Sequence, residues 1–291
     1  MPPDLHDLLV KTSRTFALSI PLLEEPTREQ VTIAYLLFRI ADTFEDAAVW
    51  SRVERVAALE GFAALVADGG DGDAGEAVRS WVEARPTAHA GYLELLAATP
   101  AVLRAFEGLR ASAREPIRRD TVRTALGMAA FVRRADDRGV LRLESLTDLR
   151  DYCYVVAGIV GEMLTDLFLD DPRLDRNAAE LLRRRAATFG EALQLVNILR
   201  DASDDRREGR TFLPDRVSRD EVFELAREDL RIAEEYTDVL RRHGAPAGTL
   251  AFTTLPVRLA RATLDAVAEQ GPGAKVPREE VLRMFQEVSA G

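Results

Sequence analysis

Apolar residues recur at spacings of three and four along almost the whole chain, the signature of helices that bury one face. The pattern runs through VTIAYLLFRIADTF, VERVAALEGFAALV, AVLRAFEGL, VRTALGMAAFV, YCYVVAGIVGEMLTDLFL, ALQLVNIL and VFELAREDLRIAEEYTDVLRR. No run alternates apolar and polar residues convincingly enough to compete as a strand. Gly, Pro and Asp cluster at ADGGDGDAG, EARPTAHAG, HGAPAG and EQGPGAKVPRE, which mark the turns between helices. These breaks are short and polar, and none has the length of a flexible linker. The pattern predicts an all-α chain forming a single domain over residues 1–291.

Within YCYVVAGIVGEML, Ala157, Gly158 and Gly161 fall on one helix, where each Gly costs about 1 kcal/mol relative to Ala. Something must therefore approach that backbone closely. Tight helix–helix packing and a long apolar ligand lying along the helix both fit. Tyr152, one turn earlier, has a ring able to stabilise positive charge and a phenol able to exchange a proton. Taken alone it reads as a core tyrosine.

With 291 residues, 47% of them apolar, the chain can build a substantial core. A formal charge of −10 and the lack of any basic run interleaved with aromatics exclude a nucleic-acid surface. All but two of the 39 basic residues are arginine, so a lone arginine carries little meaning. The single cysteine, Cys153, rules out an internal disulfide, fits a reducing cytosol and reads as a small buried residue. His6, His89 and His243 have no metal-ligand spacing. No signal-like start and no apolar run of about 18 residues appears, so a cytoplasmic location is expected.

Two acidic clusters interrupt apolar helical runs. RIADTFEDA carries Asp42, Glu45 and Asp46, and QLVNILRDASDD carries Asn197, Asp201 and Asp205. Residues four apart on a helix differ by about 40° in azimuth and about 6 Å in height, so each cluster gathers its carboxylates on one face. Like charges so placed need a counter-charge, which Mg²⁺ bridging to a diphosphate would supply. Asp136 and Asp137, and Asp170 and Asp171, are also acidic pairs, but their polar settings read as turns or caps.

These residues resemble the squalene and phytoene synthases, which join two prenyl diphosphates head to head. The resemblance runs through KTSRTFALSI, Y-x-x-x-R-x-x-D-x-x-x-D from Tyr35 to Asp46, GMAAF at 127–131, YCYVVAGIVGEML, and Q-x-x-N-x-x-R-D-x-x-x-D ending in GRTFLP. It implies a single-domain isoprenoid synthase helical bundle, with aspartate-rich helices on opposite walls of a central cavity. By position, Asp42, Glu45, Asp46, Asn197, Asp201 and Asp205 correspond to the Mg²⁺–diphosphate ligands, and Arg39, Arg200 and Arg210 to diphosphate contacts. Ser13, Phe16, Tyr35 and Gln194 correspond to residues lining the sites, and Tyr152 to the tyrosine of the first half-reaction. Tyr152, Tyr35 and the four aspartates thus stand as the catalytic set.

Within the family, DTFED, the KTSRTFA segment and FTTLPVRLARATL, with Phe252 on the substrate side, resemble the squalene branch. That branch condenses two farnesyl diphosphates through presqualene diphosphate and reduces the intermediate with NADPH. Arg14, Arg39, Arg200 and Lys275 correspond to its cofactor-binding residues; a further arginine is replaced by Pro277, with Arg278 adjacent. Relatives that stop at dehydrosqualene, hydroxysqualene or phytoene without NADPH are the alternatives, and a non-catalytic assembly or binding protein is a third. No counterpart of the membrane-anchoring helix of eukaryotic members is seen, so greasy substrate and product are expected to pass by peripheral association with the inner face of a membrane.

Overall fold

The computed structural model describes residues 4–13, 15–69, 74–136, 140–207 and 210–290. Helices make up 77% of it, as the periodicity predicts. The exception is one pair of two-residue strands, β1 (Leu141–Arg142) and β2 (Arg210–Thr211), which run parallel. So short a ladder has too few residues to show alternation, and no sequence pattern announces it.

The residues fall into two compact units, Met1–Pro21 with Glu25–Gly139, and Leu22–Glu24 with Val140–Gly291. In the first, α3 (Thr27–Glu45) packs against α4 (Arg52–Ala67), α7 (Thr99–Glu107) and α8 (Ala111–Arg133). α3 is held in place by Val31, Ile33, Ala34, Leu36, Leu37, Ile40, Ala41 and Phe44, which line its buried sides. Phe44 anchors the acidic end: its ring centroid lies 4.7 Å from that of Trp81, 5.9 Å from Trp50 and 6.2 Å from Phe62. Arg55 then donates to the Glu45 carbonyl, placing a cation where the helix end has unpaired acceptors. Ser51 and Glu54 start α4 with a reciprocal capping box.

In the same unit, α1 (Leu5–Thr12) packs on α6 (Ala90–Ala97). Gly91 makes this possible, since a Cβ there would lie 2.8 Å from the Lys11 carbonyl oxygen. Lys11 adds ion pairs to Glu94 at 2.8 Å and Asp7 at 2.7 Å.

The second unit is built around α12 (Ala186–Arg207), which packs against α10 (Ile159–Phe168), α13 (Arg219–Arg242) and α14 (Ala247–Gln270). The run predicted as one helix from YCYVVAG onwards is α9 (Leu146–Cys153), a π-helical segment (Tyr154–Gly158) and α10 in succession. Such one-turn widenings lie frequently at functional sites. The final helix, α15 (Arg278–Ala290), packs on α14.

The small-residue face serves helix–helix packing. A Cβ on Gly161 would lie 2.0 Å from the Ala186 carbonyl oxygen, and one on Gly190 2.0 Å from that of Ala157. Backbone fills the space that an apolar ligand along this face would need. Gly158 differs, because its nearest neighbours are the side chains of Tyr154 at 2.8 Å and Glu191 at 3.1 Å.

Adding a methyl at Gly190 therefore forces two backbones apart, whereas at Gly158 flexible side chains can move. Gly190→Ala is expected to destabilise by about 3 kcal/mol, at the upper end of ordinary overpacking, and Gly158→Ala by about 1 kcal/mol. Thermal melting of both variants, followed by circular dichroism, checks the order. Equal midpoints would contradict the packing described.

Candidate active site

The α3 cluster is held by its own arginine. Arg39 Nη1 lies 3.3 Å from Asp42 Oδ2, and its Nε donates to the Tyr35 hydroxyl at 3.2 Å. Tyr35 in turn donates to the Thr12 carbonyl at 2.8 Å, and its ring lies 5.6 Å from that of Phe16. Ser13 follows α1, and its Oγ accepts from the Phe16 amide at 2.9 Å. Ser13, Phe16, Tyr35, Arg39 and Asp42 thus form one connected group. Arg14 lies outside the described residues.

Burial pushes the Asp42 carboxyl up to about 6, opposed by Arg39 and reinforced by repulsion from Asp46. Arg39 is held above its ordinary value: burial works against the charge, and Asp42 and the tyrosines outweigh it. Glu45 departs from the expectation that three carboxylates share one face. It is 8% exposed and sits among the buried residues of α3, while Asp46 is exposed. The reason is angular, since a residue three positions on is displaced by about 60° from the first, towards the packed side.

On α12, Gln194, Asn197, Arg200, Asp201 and Asp205 are all half-buried. Arg200 grips Asp201 with two bonds, Nε–Oδ1 at 2.7 Å and Nη2–Oδ2 at 2.5 Å. Asp205 lies 3.3 Å from Arg210 Nη2. The short ladder explains that last contact, because pairing Leu141 with Arg210 and Arg142 with Thr211 fixes the chain after α12. The same pairing carries Phe212 onto Tyr152, with stacked rings 4.7 Å apart and 24° from parallel. Tyr152 is 4% exposed at the end of α9, a buried ring with an aromatic partner that spacing did not reveal.

The counter-charge expected from a metal is supplied in part by these arginines. Among the described residues no three Asp, Glu, His or Cys side chains converge as a ready-made metal cage. The donors present are nevertheless hard oxygens in pairs, a set that suits Mg²⁺ bound through one or two carboxylates plus phosphate and water. They fit a cation that arrives with its anion.

Elsewhere the outcomes differ. Lys275 precedes α15 and Arg278 begins it, both exposed, and the Gly273 amide donates to the Arg200 carbonyl at 2.7 Å, which ties the Lys275 segment to the cluster helix. Phe252 is 2% exposed and packs edge-on to Phe168 at 6.0 Å, a core contact. Cys153 is buried as expected. His89 caps α6, and His243 ends α13.

A buried charge group beside the π-helical segment was not foreseen. Glu191 lies 3.7 Å from Arg150, and Asp229, 2% exposed, has one carboxylate oxygen with no hydrogen-bond partner. Burial pushes Glu191 up to about 7 and Asp229 to about 6, with Arg150 opposing in both.

The chain matches the family model described as squalene/phytoene synthase over residues 9–221. The chain belongs to the squalene/phytoene synthase family. Among curated members it is 30% identical over 213 residues to the squalene synthase of Schizosaccharomyces pombe, and 31% identical over 213 residues to that of Bos taurus. Each match covers 72% of this chain, and 43% and 45% of the relative, so the chain spans less than half the length of these family members. Among solved family structures, a complex of TcSQS with the ligand BPH1237 aligns with a TM-score of 0.77 at 25% identity, over 98% of this chain and 85% of that one. Squalene synthase HpnC from Alicyclobacillus acidocaldarius shares the fold, with a TM-score of 0.56, 19% identity and 92% of each chain covered. The helical isoprenoid-synthase fold is therefore this chain's fold.

A carboxyl whose native pKa exceeds its unfolded value keeps its proton where the unfolded chain has lost it, so it stabilises at low pH and that stability is lost as pH rises. For Glu191 and Asp229 the window runs from their ordinary 4.5 and 3.8 up to about 7 and about 6. Asp42 adds in the same direction. Their contribution to the thermal midpoint is expected to fall between about pH 4 and pH 7, and Glu191→Gln to flatten that fall. An unchanged slope in Glu191→Gln would remove this group as its origin.

Proposed function

We propose that this chain is a head-to-head prenyltransferase that condenses two farnesyl diphosphates through presqualene diphosphate to squalene, with Mg²⁺ and NADPH. The observation that carries the reading is the pairing, on α3 and again on α12, of aspartates four residues apart with an arginine beside them. Family membership and the squalene synthases among its similar relatives support the reaction class.

The residues have distinct parts in this reading. Asp42 and Asp46, and Asn197, Asp201 and Asp205, would hold Mg²⁺, which when bound supplies charge neutralisation to a departing diphosphate. Glu45, though buried, belongs to the same proposed ligand set. Arg39, Arg200 and Arg210 would bind diphosphate oxygens, for which guanidinium donors are geometrically suited. Tyr35 orients Arg39 through its hydroxyl. Tyr152, stacked on Phe212, would face a developing allylic cation with ring density and exchange a proton in the first half-reaction. Ser13, Phe16 and Gln194 are the proposed lining, whereas Phe252, expected on the substrate side, packs in the core against Phe168. NADPH, when bound, supplies hydride; Arg14, Arg39, Arg200, Lys275 and Arg278 are the proposed contacts for its phosphates, supported by the Gly273–Arg200 tie.

The direct test is incubation with farnesyl or geranylgeranyl diphosphate and Mg²⁺, with and without NADPH, followed by mass spectrometry of products. Squalene only with NADPH, and presqualene diphosphate without it, is the expected result. Dehydrosqualene, hydroxysqualene or phytoene irrespective of NADPH would replace the product assignment. Asp42→Ala and Asp201→Ala are expected to lose nearly all turnover, at least about 10³-fold, with the melting midpoint kept.

Tyr152→Phe keeps the ring and its contact with Phe212. Formation of the cyclopropyl intermediate should fall by about 10²-fold or more, while supplied presqualene diphosphate is still converted. Wild-type rates from farnesyl diphosphate would reduce Tyr152 to a packing residue.

A further inference from the structure

Arg39 is in contact with two aromatic rings. Its guanidinium carbon lies 5.5 Å from the ring centroid of Tyr35 and 5.6 Å from that of Tyr92. Tyr35 belongs to the motif on α3 and bonds Arg39 directly. Tyr92 belongs to no motif and comes from α6, another helix altogether.

Three features fix Tyr92 where it is. The close approach at Gly91 sets α6 against the end of α1, and Lys11 pairs with Glu94 across the same contact. His89 caps α6 by accepting from the Tyr92 amide at 3.3 Å, and its ring lies 4.2 Å from the Tyr92 ring, tilted by 32°. The ring is thus braced from its own helix and from the helix packing.

A guanidinium donates hydrogen bonds along its edge and offers its faces to aromatic rings. Arg39 has its Nε committed to Tyr35 and its Nη1 near Asp42, while Nη2 has no protein acceptor among the described residues. Its side chain is 25% exposed, so it is partly open to solvent. Ring contact consumes none of these donors. It limits rotation of a side chain that otherwise has several rotatable bonds, and leaves the edge ready for an anion.

We propose that Tyr92 is a positioning residue for Arg39, its ring holding the guanidinium with the Nη edge presented to a diphosphate. The inference rests on the reading of the α3 cluster as a diphosphate site, and it assigns to α6 a part in substrate binding that neither the motif spacing nor the family match indicates.

The test measures affinity for inorganic diphosphate in the presence of Mg²⁺ by calorimetry, and KM and kcat for farnesyl diphosphate. Tyr92→Leu is expected to weaken diphosphate binding and raise KM by about 3- to 10-fold, the range of a partly desolvated cation–π contact, with kcat and melting midpoint little changed. Tyr92→Phe, which keeps the ring, should restore binding to within about twofold of wild type. A trifluorophenylalanine at position 92 keeps the shape and weakens the ring's attraction for a cation, so it guards against a leucine variant that misfolds; it should fall between the two. In an Arg39→Met background, Tyr92→Leu should have no further effect on diphosphate affinity.

Unchanged affinity in Tyr92→Leu, equal binding by the phenylalanine and trifluorophenylalanine proteins, or a full additional loss in the Arg39→Met background would each overturn the inference. A wild-type protein that binds diphosphate with this dependence on Tyr92 yet makes no prenyl product would sink the proposed reaction and leave the Tyr92 assignment standing. Normal turnover with no dependence on Tyr92 would do the reverse.

Discussion

Placing like charges four residues apart at the end of a packed helix is unfavourable unless something neutralises them, and the rest of this structure follows from how that is done. On α3, Arg39 lies one turn before Asp42; on α12, Arg200 immediately precedes Asp201 and Arg210 reaches Asp205. These partners are close in sequence, so each cluster has its compensation nearby and can fold without an ion. At Asp42 burial outweighs that compensation, and the carboxyl is pushed up to about 6. Partial neutralisation suits the proposed diphosphate site, which would release and rebind a highly charged anion. A fully satisfied buried pair would resist the exchange, and an unpaired one would destabilise the fold.

Around each cluster the scaffolding is rigid for local reasons. Phe44 and its aromatic neighbours hold the acidic end of α3, and the Arg55 contact terminates it. In the second unit the interlocked glycines bring α12 against the π-helical segment and α10, and the two-residue ladder fixes both Arg210 and Phe212. Tyr152 is thereby stacked on Phe212, and the widened helical turn begins directly after Cys153. The buried Glu191 and Asp229, opposed by the exposed Arg150, make the stability of this region sensitive to pH.

Much of this was legible from spacing. Helical periodicity located α3, α4, α7, α8, α10, α12 and α13 but not α1, α6, α14 or α15, and the four-residue recurrence of Asp42 with Asp46, and of Asn197, Asp201 and Asp205, located the clusters. Spacing alone could not separate the two explanations for Ala157, Gly158 and Gly161, because both require a small face; the carbonyl contacts at Gly161 and Gly190 decide for helix packing. It also overstated the first cluster, since Glu45 sits on the packed side. Tyr92, Phe212, Arg150, Glu191 and Asp229 were illegible for one shared reason. Each matters through a partner distant in sequence, and a single chain read alone shows only neighbours along the helix.

The central claim is that the clusters are half-compensated by arginine and take their cation together with a diphosphate. The most direct measurement is the thermal midpoint of the wild-type protein with Mg²⁺ alone, with inorganic diphosphate alone, and with both, since a ligand raises the midpoint only in proportion to its binding to the folded state. The account predicts small shifts from either component and a much larger one from the pair. A full shift with Mg²⁺ alone would reveal a preformed metal cage, and no shift with the pair would show that these aspartates and arginines do not form a metal–diphosphate site.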